Sequence, residues 1–329
     1  MILAGDIGGT KVNLGLYREN SGQLELLKIT RYQCCNYSGI DQILDVFMRG
    51  VDGTPEIVCF GVAGTVIDGV CHLTNLDWNI DSSIIRKSVG ANQVLLINDL
   101  AALACSVPFL DNNEFEVLQK GIFEDGIIAV IAAGTGLGQA FLVPGGHSRY
   151  RILETEGGHC DFAPRDLIET QLLGFLLRYF RRVSIERVLS GAGIFQLYQF
   201  VCESQNLKEP DWLTQKFYNS TPEKIIVEHG LNGKSNACKM AIEMFAEIYG
   251  AIAGNMALQL KATGGVYVGG AIASNIVSIL RGGSFMKSFS AKGRFRQWLE
   301  RVPVRLINNE ASPLLGAAQY ALNKRFIQF

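Results

Sequence analysis

No stretch of this chain is apolar for long enough to cross a bilayer, which takes ~18–20 consecutive residues in a membrane helix. The start, Met1-Ile2-Leu3-Ala4-Gly5-Asp6, has no basic segment and meets an aspartate at once, so it does not read as a secretory signal. Charge of neither sign dominates: 30 Lys and Arg stand against 31 Asp and Glu, a net −1. A general binder of nucleic acid or anionic membrane needs a basic surface, so neither partner is expected. Eight cysteines are present at 34, 35, 59, 71, 105, 160, 202 and 238, yet none forms a C-x-x-C pair. Neither a zinc knuckle nor a redox dithiol is indicated, and reduced, mostly buried thiols of a cytoplasmic protein are the expectation. G-x-x-x-x-G-K-[ST] is missing as well, which disfavours a P-loop NTPase.

What the chain does have is apolar content and glycine. At 329 residues and 48% hydrophobic, it is long enough for two domains and able to bury a core. Two glycine turns stand far apart: Gly5-Asp6-Ile7-Gly8-Gly9-Thr10-Lys11, and Gly134-Thr135-Gly136-Leu137-Gly138. Each separates two strand-like apolar segments, 2–7 from 11–17 and 127–132 from 139–143. Strand leads to strand, not to a helix, which disfavours a Rossmann fold too. The same hairpin made twice implies the same half-domain built twice, with room for a polyphosphate where the halves face each other. Further strands are expected at 57–62, 94–97 and 266–268, and an Asp-Gly hairpin turn at Asp68-Gly69. Helices are expected over 100–106 (ended by Pro108), 166–179 and 242–260, with a short one from Thr221-Pro222-Glu223 and a last one from Ser312-Pro313 to about Lys324. Mixed sheets flanked by helices follow, with ligands at the carboxyl ends of strands.

Five clusters carry chemistry. Glycines at 8 and 9 let backbone N–H groups approach phosphate oxygens, Thr10 adds a hydroxyl, and Asp6 offers a carboxylate suited to Mg²⁺ held through water. Asn98-Asp99 ends a strand and opens a helix. An N-cap would explain one such residue, but a carboxylate there can also take a proton from a hydroxyl that attacks phosphorus, while Asn98 binds a second hydroxyl. In Glu156-Gly157-Gly158-His159 the glycine bend converges a carboxylate and an imidazole, as a polyhydroxylated ligand requires. Glu154 reads as a solvated charge, and His159 could instead be a core histidine or a metal ligand. Glu186, by composition alone, is a surface charge near a helix start. Gly269-Gly270, at a strand end, fits either an adenine lying on the backbone or strand–helix packing.

Taken in order, GDIGGTK at 5–11, VLLINDLAALA at 94–104, AAGTGLGQA at 132–140, EGGHCDFAP at 156–164, IERVLSGAGI at 185–194, VYVGGAIA at 266–273 and SPLLGAAQYAL at 312–322 resemble the bacterial glucokinase family of the hexokinase, actin and Hsp70 ATPase superfamily. The resemblance implies a two-domain actin-like ATPase fold, α/β and duplicated in the ribonuclease H-like manner, with an active-site cleft between the lobes. The small domain would be 1–108 plus 311–329, and the large domain 109–310. It implies phosphoryl transfer from ATP, with Mg²⁺, to the 6-hydroxyl of D-glucose. Asp99 would be the base. Asn98, Asp99, Glu156, His159 and Glu186 would bind sugar. Gly5, Asp6, Ile7, Gly8, Gly9, Thr10, Gly134, Thr135, Gly136, Gly138, Gly269 and Gly270 would bind nucleotide, with Asp6 toward the metal. A cytoplasmic homodimer is implied too. Two positions depart from the family pattern: Ala192 stands where proline is usual, and Lys11 where asparagine is common. The cysteine-rich zinc motif of the related repressor-type sugar kinases is missing, and no helix-turn-helix precedes residue 1, so a repressor role is not expected. Rival readings are a kinase for another hexose or an N-acetylhexosamine, a non-catalytic sugar sensor, and an actin-like filament or chaperone ATPase.

Overall fold

The computed structural model describes residues 1–73, 76–145, 149–208 and 210–325. The chain forms two compact units: Met1–Glu114 with His147–Glu154 and Asn309–Phe329, and Phe115–Gly146 with Thr155–Asn308. These bounds differ from 1–108 and 109–310. The first unit runs on to Glu114 because the Asn309 side-chain amide donates to the Glu114 carboxylate, tying this stretch to the returning chain. It takes in 147–154 because Ile152 packs against its Ile2, Ala4 and Leu314 cluster.

In the first unit, β1 (Ile2–Ile7), β2 (Lys11–Asn20), β3 (Gln23–Gln33), β4 (Ile57–Val62) and β7 (Gln93–Asn98) form a sheet in the order β3-β2-β1-β4-β7. β1 is antiparallel to β2 and parallel to β4, which is parallel to β7. A small ladder joins β5 (Val70–His72) and β6 (Asn79–Asp81). The Asp68-Gly69 turn forms with both residues at positive φ, 51° and 76°, but its arms share only an isolated bridge. The alternation of a strand divides β1 between two cores. Leu3 and Ile7 join Val58, Phe60 and Val62 on one face, while Ile2 and Ala4 join Cys59, Ala101 and Leu314 on the other. Asp6 has the parity of Ile2 and Ala4, the face covered by the helices Asp99–Ser106 and Ser312–Arg325.

Small residues let the Asp99–Ser106 helix lie close. A Cβ on Gly61 would come within 2.8 Å of the Ala102 Cβ, and one on Gly316 within 1.7 Å of the Ala102 carbonyl oxygen. Backbone cannot yield as a side chain can. Gly316→Ala therefore destabilises the chain by roughly 3 kcal/mol, the upper end of ordinary overpacking. Urea denaturation measures this, and an unchanged midpoint contradicts the close approach.

The second unit repeats the plan. β8 (Phe115–Gln119), β9 (Ile128–Ala133), β10 (Leu137–Gly145), β12 (Gly265–Gly269) and β13 (Val304–Ile307) are its strands, and with β11 (Arg149–Thr155), which is grouped with the first unit up to Glu154, the sheet order is β11-β10-β9-β12-β13-β8. β9 is antiparallel to β10 and parallel to β12, and β12 is parallel to β13. The sheet thus matches β3-β2-β1-β4-β7 strand for strand, with antiparallel β8 added. This is the expected duplication.

The long helix, Asn236–Gln259, starts earlier than 242, capped by Ser235, whose hydroxyl accepts from the Cys238 N–H. The helix expected over 166–179 is Leu167–Leu176, with Asp166 as its N-cap. Two further helices are Asp211–Asn219, which was not expected, and Pro222–Leu231, the short one signalled by Thr221-Pro222-Glu223. Among the described residues no helix is long and apolar enough to cross a membrane.

Candidate active site

The first glycine turn closes β1 onto β2. Ile7 pairs with Val12, and the Gly8 N–H donates to the Lys11 carbonyl at 3.0 Å. The second closes β9 onto β10, where Ala133 pairs with Leu137 and the Gly134 N–H donates to the Gly136 carbonyl at 2.8 Å. Neither Gly8 nor Gly134 has a positive φ. A Cβ on Gly134 would meet nothing within 4 Å, and one on Gly8 only the Lys11 carbonyl at an ordinary 3.5 Å. The protein itself thus does not demand glycine at these two positions, whereas a ligand lying on the backbone would. Gly5 differs. A Cβ there would strike the Phe60 ring at 2.5 Å, so its glycine is explained by packing. Ile7 is fully buried, Gly8 and Gly9 are half-buried, and Thr10 and Thr135 are exposed.

Asn98 is the cap of the Asp99–Ser106 helix. Its Oδ1 accepts from the Leu100 N–H at 2.9 Å, and its Nδ2 donates to the Gly64 carbonyl at 3.5 Å. Asp99 is left in the first turn, where its Oδ1 also accepts from the Leu100 N–H at 2.8 Å. Burial pushes the Asp99 carboxyl up to about 6; the Leu100 bond pulls it down, and the Asp6 charge pushes it up further. Asp6 is raised by burial as well, against the Asn13 hydrogen bond and the Lys11 and Arg31 charges, which lower it.

A polar chain that the sequence reading missed stands behind Asp6. The Asn13 amide donates to Asp6 Oδ2 at 2.9 Å, Arg31 Nε donates to Asn13 Oδ1 at 3.0 Å, and Arg31 Nη2 meets Glu310 at 3.0 Å. Lys11 Nζ lies 3.9 Å from the same Glu310 carboxylate. Asn13 sits directly across the ladder from Asp6, so a buried polar residue opposite the acid was its only signal. Among the described residues no three His, Cys, Asp or Glu side chains gather into a metal cage. A hard oxygen donor with a second carboxylate close by fits Mg²⁺, which keeps most of its waters and takes its remaining ligands from phosphates.

In the second unit, Glu156, His159 and Glu186 converge. The His159 Nε2 lies 3.9 Å from Glu156 Oε2, and its Nδ1 3.9 Å from Glu186 Oε1. The imidazole is more than half exposed, so it is not a core histidine. The bend forms because a Cβ on Gly158 would come within 2.2 Å of the Leu137 carbonyl oxygen. Glu186 arrives by tertiary pairing, through the Asp161–Ser184 bridge and the Ile185 N–H donating to the Cys160 carbonyl at 2.9 Å. Its Oε2 then accepts from the Leu137 N–H at 2.9 Å, next to the glycine turn. The turn is held from its other side by the Gly191 N–H, which donates to the Gly134 carbonyl at 2.9 Å from the start of the helix Gly191–Ser204. Ala192 is exposed on the first turn of that helix. Gly269 is buried, while Gly270 has φ 89°, and a Cβ there would lie 2.4 Å from the Ala133 carbonyl oxygen.

Two units with the same sheet plan, each with a hairpin glycine turn, make the duplicated α/β fold of the actin-like kinases. A solved glucokinase from an Antarctic psychrotroph has this fold, with TM-score 0.85 and 31% identity over 98% of each chain. So does a ROK-family glucokinase from Streptomyces griseus, solved with glucose and AMPPNP, at TM-score 0.62 and 21% identity over 98% of this chain and 99% of that one. The glucokinase of Synechocystis is 37% identical over 96% of both chains. With the glucokinase family model matching residues 3–324, the chain belongs to the glucokinase family.

Proposed function

We propose that the chain transfers the γ-phosphoryl group of ATP to the 6-hydroxyl of D-glucose, giving glucose 6-phosphate and ADP. The observation that carries the mechanism is the Asp99 carboxyl. It opens a helix beside a second acid, with burial raising it to about 6, so it is ionised at neutral pH yet basic enough to accept a proton. Asp99 takes the hydroxyl proton as the bond to phosphorus forms. Asn98, Glu156, His159 and Glu186 hold the remaining hydroxyls. Phosphate oxygens lie on the turns at Gly8, Gly9 and Thr10 and at Gly134, Thr135, Gly136 and Gly138, against backbone N–H groups other than those of Gly8 and Gly134, which close the hairpins, and Gly269 and Gly270 lie against the nucleoside. Asp6, oriented by Asn13, would hold Mg²⁺ through water, and the metal would supply charge neutralisation on the phosphates. Glucose and MgATP are the partners; no nucleic acid or membrane is one. The protein is cytoplasmic and a homodimer, and size-exclusion chromatography reads the latter.

A coupled assay with ATP and a panel of hexoses tests the reading. Phosphorylation of glucose ahead of fructose, mannose and N-acetylglucosamine supports it. Turnover of another sugar first makes the chain a different hexose kinase, and sugar binding without turnover makes it a sensor. Within the sugar set, Glu186→Gln keeps an oxygen for the Leu137 N–H but removes the charge facing His159. Glucose affinity should fall about tenfold, the order of one charge-assisted hydrogen bond, with the melting temperature unchanged. Titration calorimetry that finds the wild-type affinity contradicts the assignment.

A further inference from the structure

Tyr249 is fully buried in the middle of the Asn236–Gln259 helix, with burial pushing its phenol well above the usual range, and the chemistry described so far leaves it unused. Its hydroxyl sits where two strands end. The Ala133 N–H, last in β9, donates to it at 3.2 Å. Its single proton lies between the Ile131 carbonyl at 3.2 Å and the Gly269 carbonyl, last in β12, at 3.4 Å. The ladder explains why a side chain is needed there. Gly269 pairs with Ala132, and at Gly270 the chain turns away with φ 89°, so Ala133 has no strand partner on that side. The phenol occupies the missing rung. The next residue after Ala133 is Gly134, and the next after Gly269 is Gly270.

The helix cannot slide to change this. A Cβ on Gly250 would lie 2.0 Å from the Phe285 carbonyl oxygen and one on Gly254 2.3 Å from that of Phe289, so the Ser284–Ser290 helix lies hard against it. Lys292 Nζ adds bonds to the Ala251 carbonyl at 2.9 Å and to Asn255 Oδ1 at 2.6 Å. We infer that Tyr249 is a positioning residue for nucleotide. It fixes the spacing between the turn at Gly134–Gly138, which carries the phosphates, and the turn at Gly269-Gly270, which carries the nucleoside. This rests on the proposed roles of those turns.

The test is Tyr249→Phe in the full chain, beside Phe245→Leu as a packing control one turn earlier, where the rings meet edge to face at 5.7 Å. Tyr249→Phe should raise KM for ATP roughly tenfold, with KM for glucose within about twofold, because it leaves buried backbone groups unpaired at the two turns. Phe245→Leu should lower the melting temperature and leave both KM values near wild type. A wild-type KM for ATP in Tyr249→Phe, or an equal rise in both variants, overturns the tether. If the wild-type chain phosphorylates glucose with ATP, that result leaves the proposed function standing; if it does not, both fall. A second readout needs no variant. The Ala133 amide of the wild-type chain should exchange as slowly as the middle of β9. Exchange as fast as the exposed Thr135 amide overturns the proposal even where the variant fails to fold.

Discussion

Asp99→Asn lowers kcat by roughly 10²–10⁴, the ordinary worth of a general base, while the protein stays folded. The asparagine oxygen still accepts from the Leu100 N–H, so the helix start is preserved. The wild-type rate should fall as pH drops through about 6, because the proton acceptor is then filled. The variant should lose that limb. Stability should move the opposite way. The native carboxyl is raised from 3.8 to about 6, so between these values the folded state holds a proton that the unfolded state has released. The resulting penalty is absent below pH 3.8, grows as pH rises, and is complete above about 6. Asp99→Asn should therefore be more stable than wild type at pH 7, by on the order of 2 kcal/mol, and no more stable under acid conditions below the unfolded value. Near-wild-type turnover together with an unchanged urea midpoint contradicts both the role of the carboxyl and its burial cost.

Asp6→Asn has the second large effect. It should cut kcat/KM for MgATP on the order of 10²-fold, as loss of a water-mediated metal contact does, while glucose binding persists. The raised Asp99 carboxyl is due to burial first and to the Asp6 charge as a smaller contribution. Removing that charge should therefore move the acid limb of the residual activity below about 6 without returning it to an ordinary carboxylate value. Steady-state kinetics over pH with saturating glucose reads both effects. An unchanged dependence on MgATP removes Asp6 from the metal role, and an unmoved limb uncouples the two acids.

The features legible in the sequence are those written locally. Glycine turns between alternating strands, the Asp-Gly turn and the Ser312-Pro313 helix start depend on neighbouring residues, and the hairpins formed where expected. β3 escaped notice because it lies at a sheet edge, with Leu26, Leu27 and Ile29 exposed and no clean alternation. The Asp211–Asn219 helix gives little apolar signal, Trp212, Leu213 and Phe217 being set among polar residues. The candidate site was legible only in part. Asp99 stood out at a strand–helix junction. Its pairing with Asp6 depends on β1, β4 and β7 lying side by side in parallel, which no local pattern encodes. Glu186 reads as a surface charge until the pairing of 160–161 with 184–185 carries it to Leu137. Asn13, Arg31 and Tyr249 look like a strand polar residue, a surface charge and a core aromatic. Their roles come from what lies across the sheet from them or against the helix that carries them.

Phosphorus NMR of ATP incubated with glucose and the purified chain is the most direct test. Wild-type protein should convert the ATP signals to ADP and a sugar 6-phosphate in equal amounts, and Asp99→Asn should leave ATP nearly untouched over the same period. Equal sugar phosphate from both proteins, or ATP consumed with no sugar phosphate formed, would contradict a carboxylate at residue 99 that deprotonates glucose for attack on ATP.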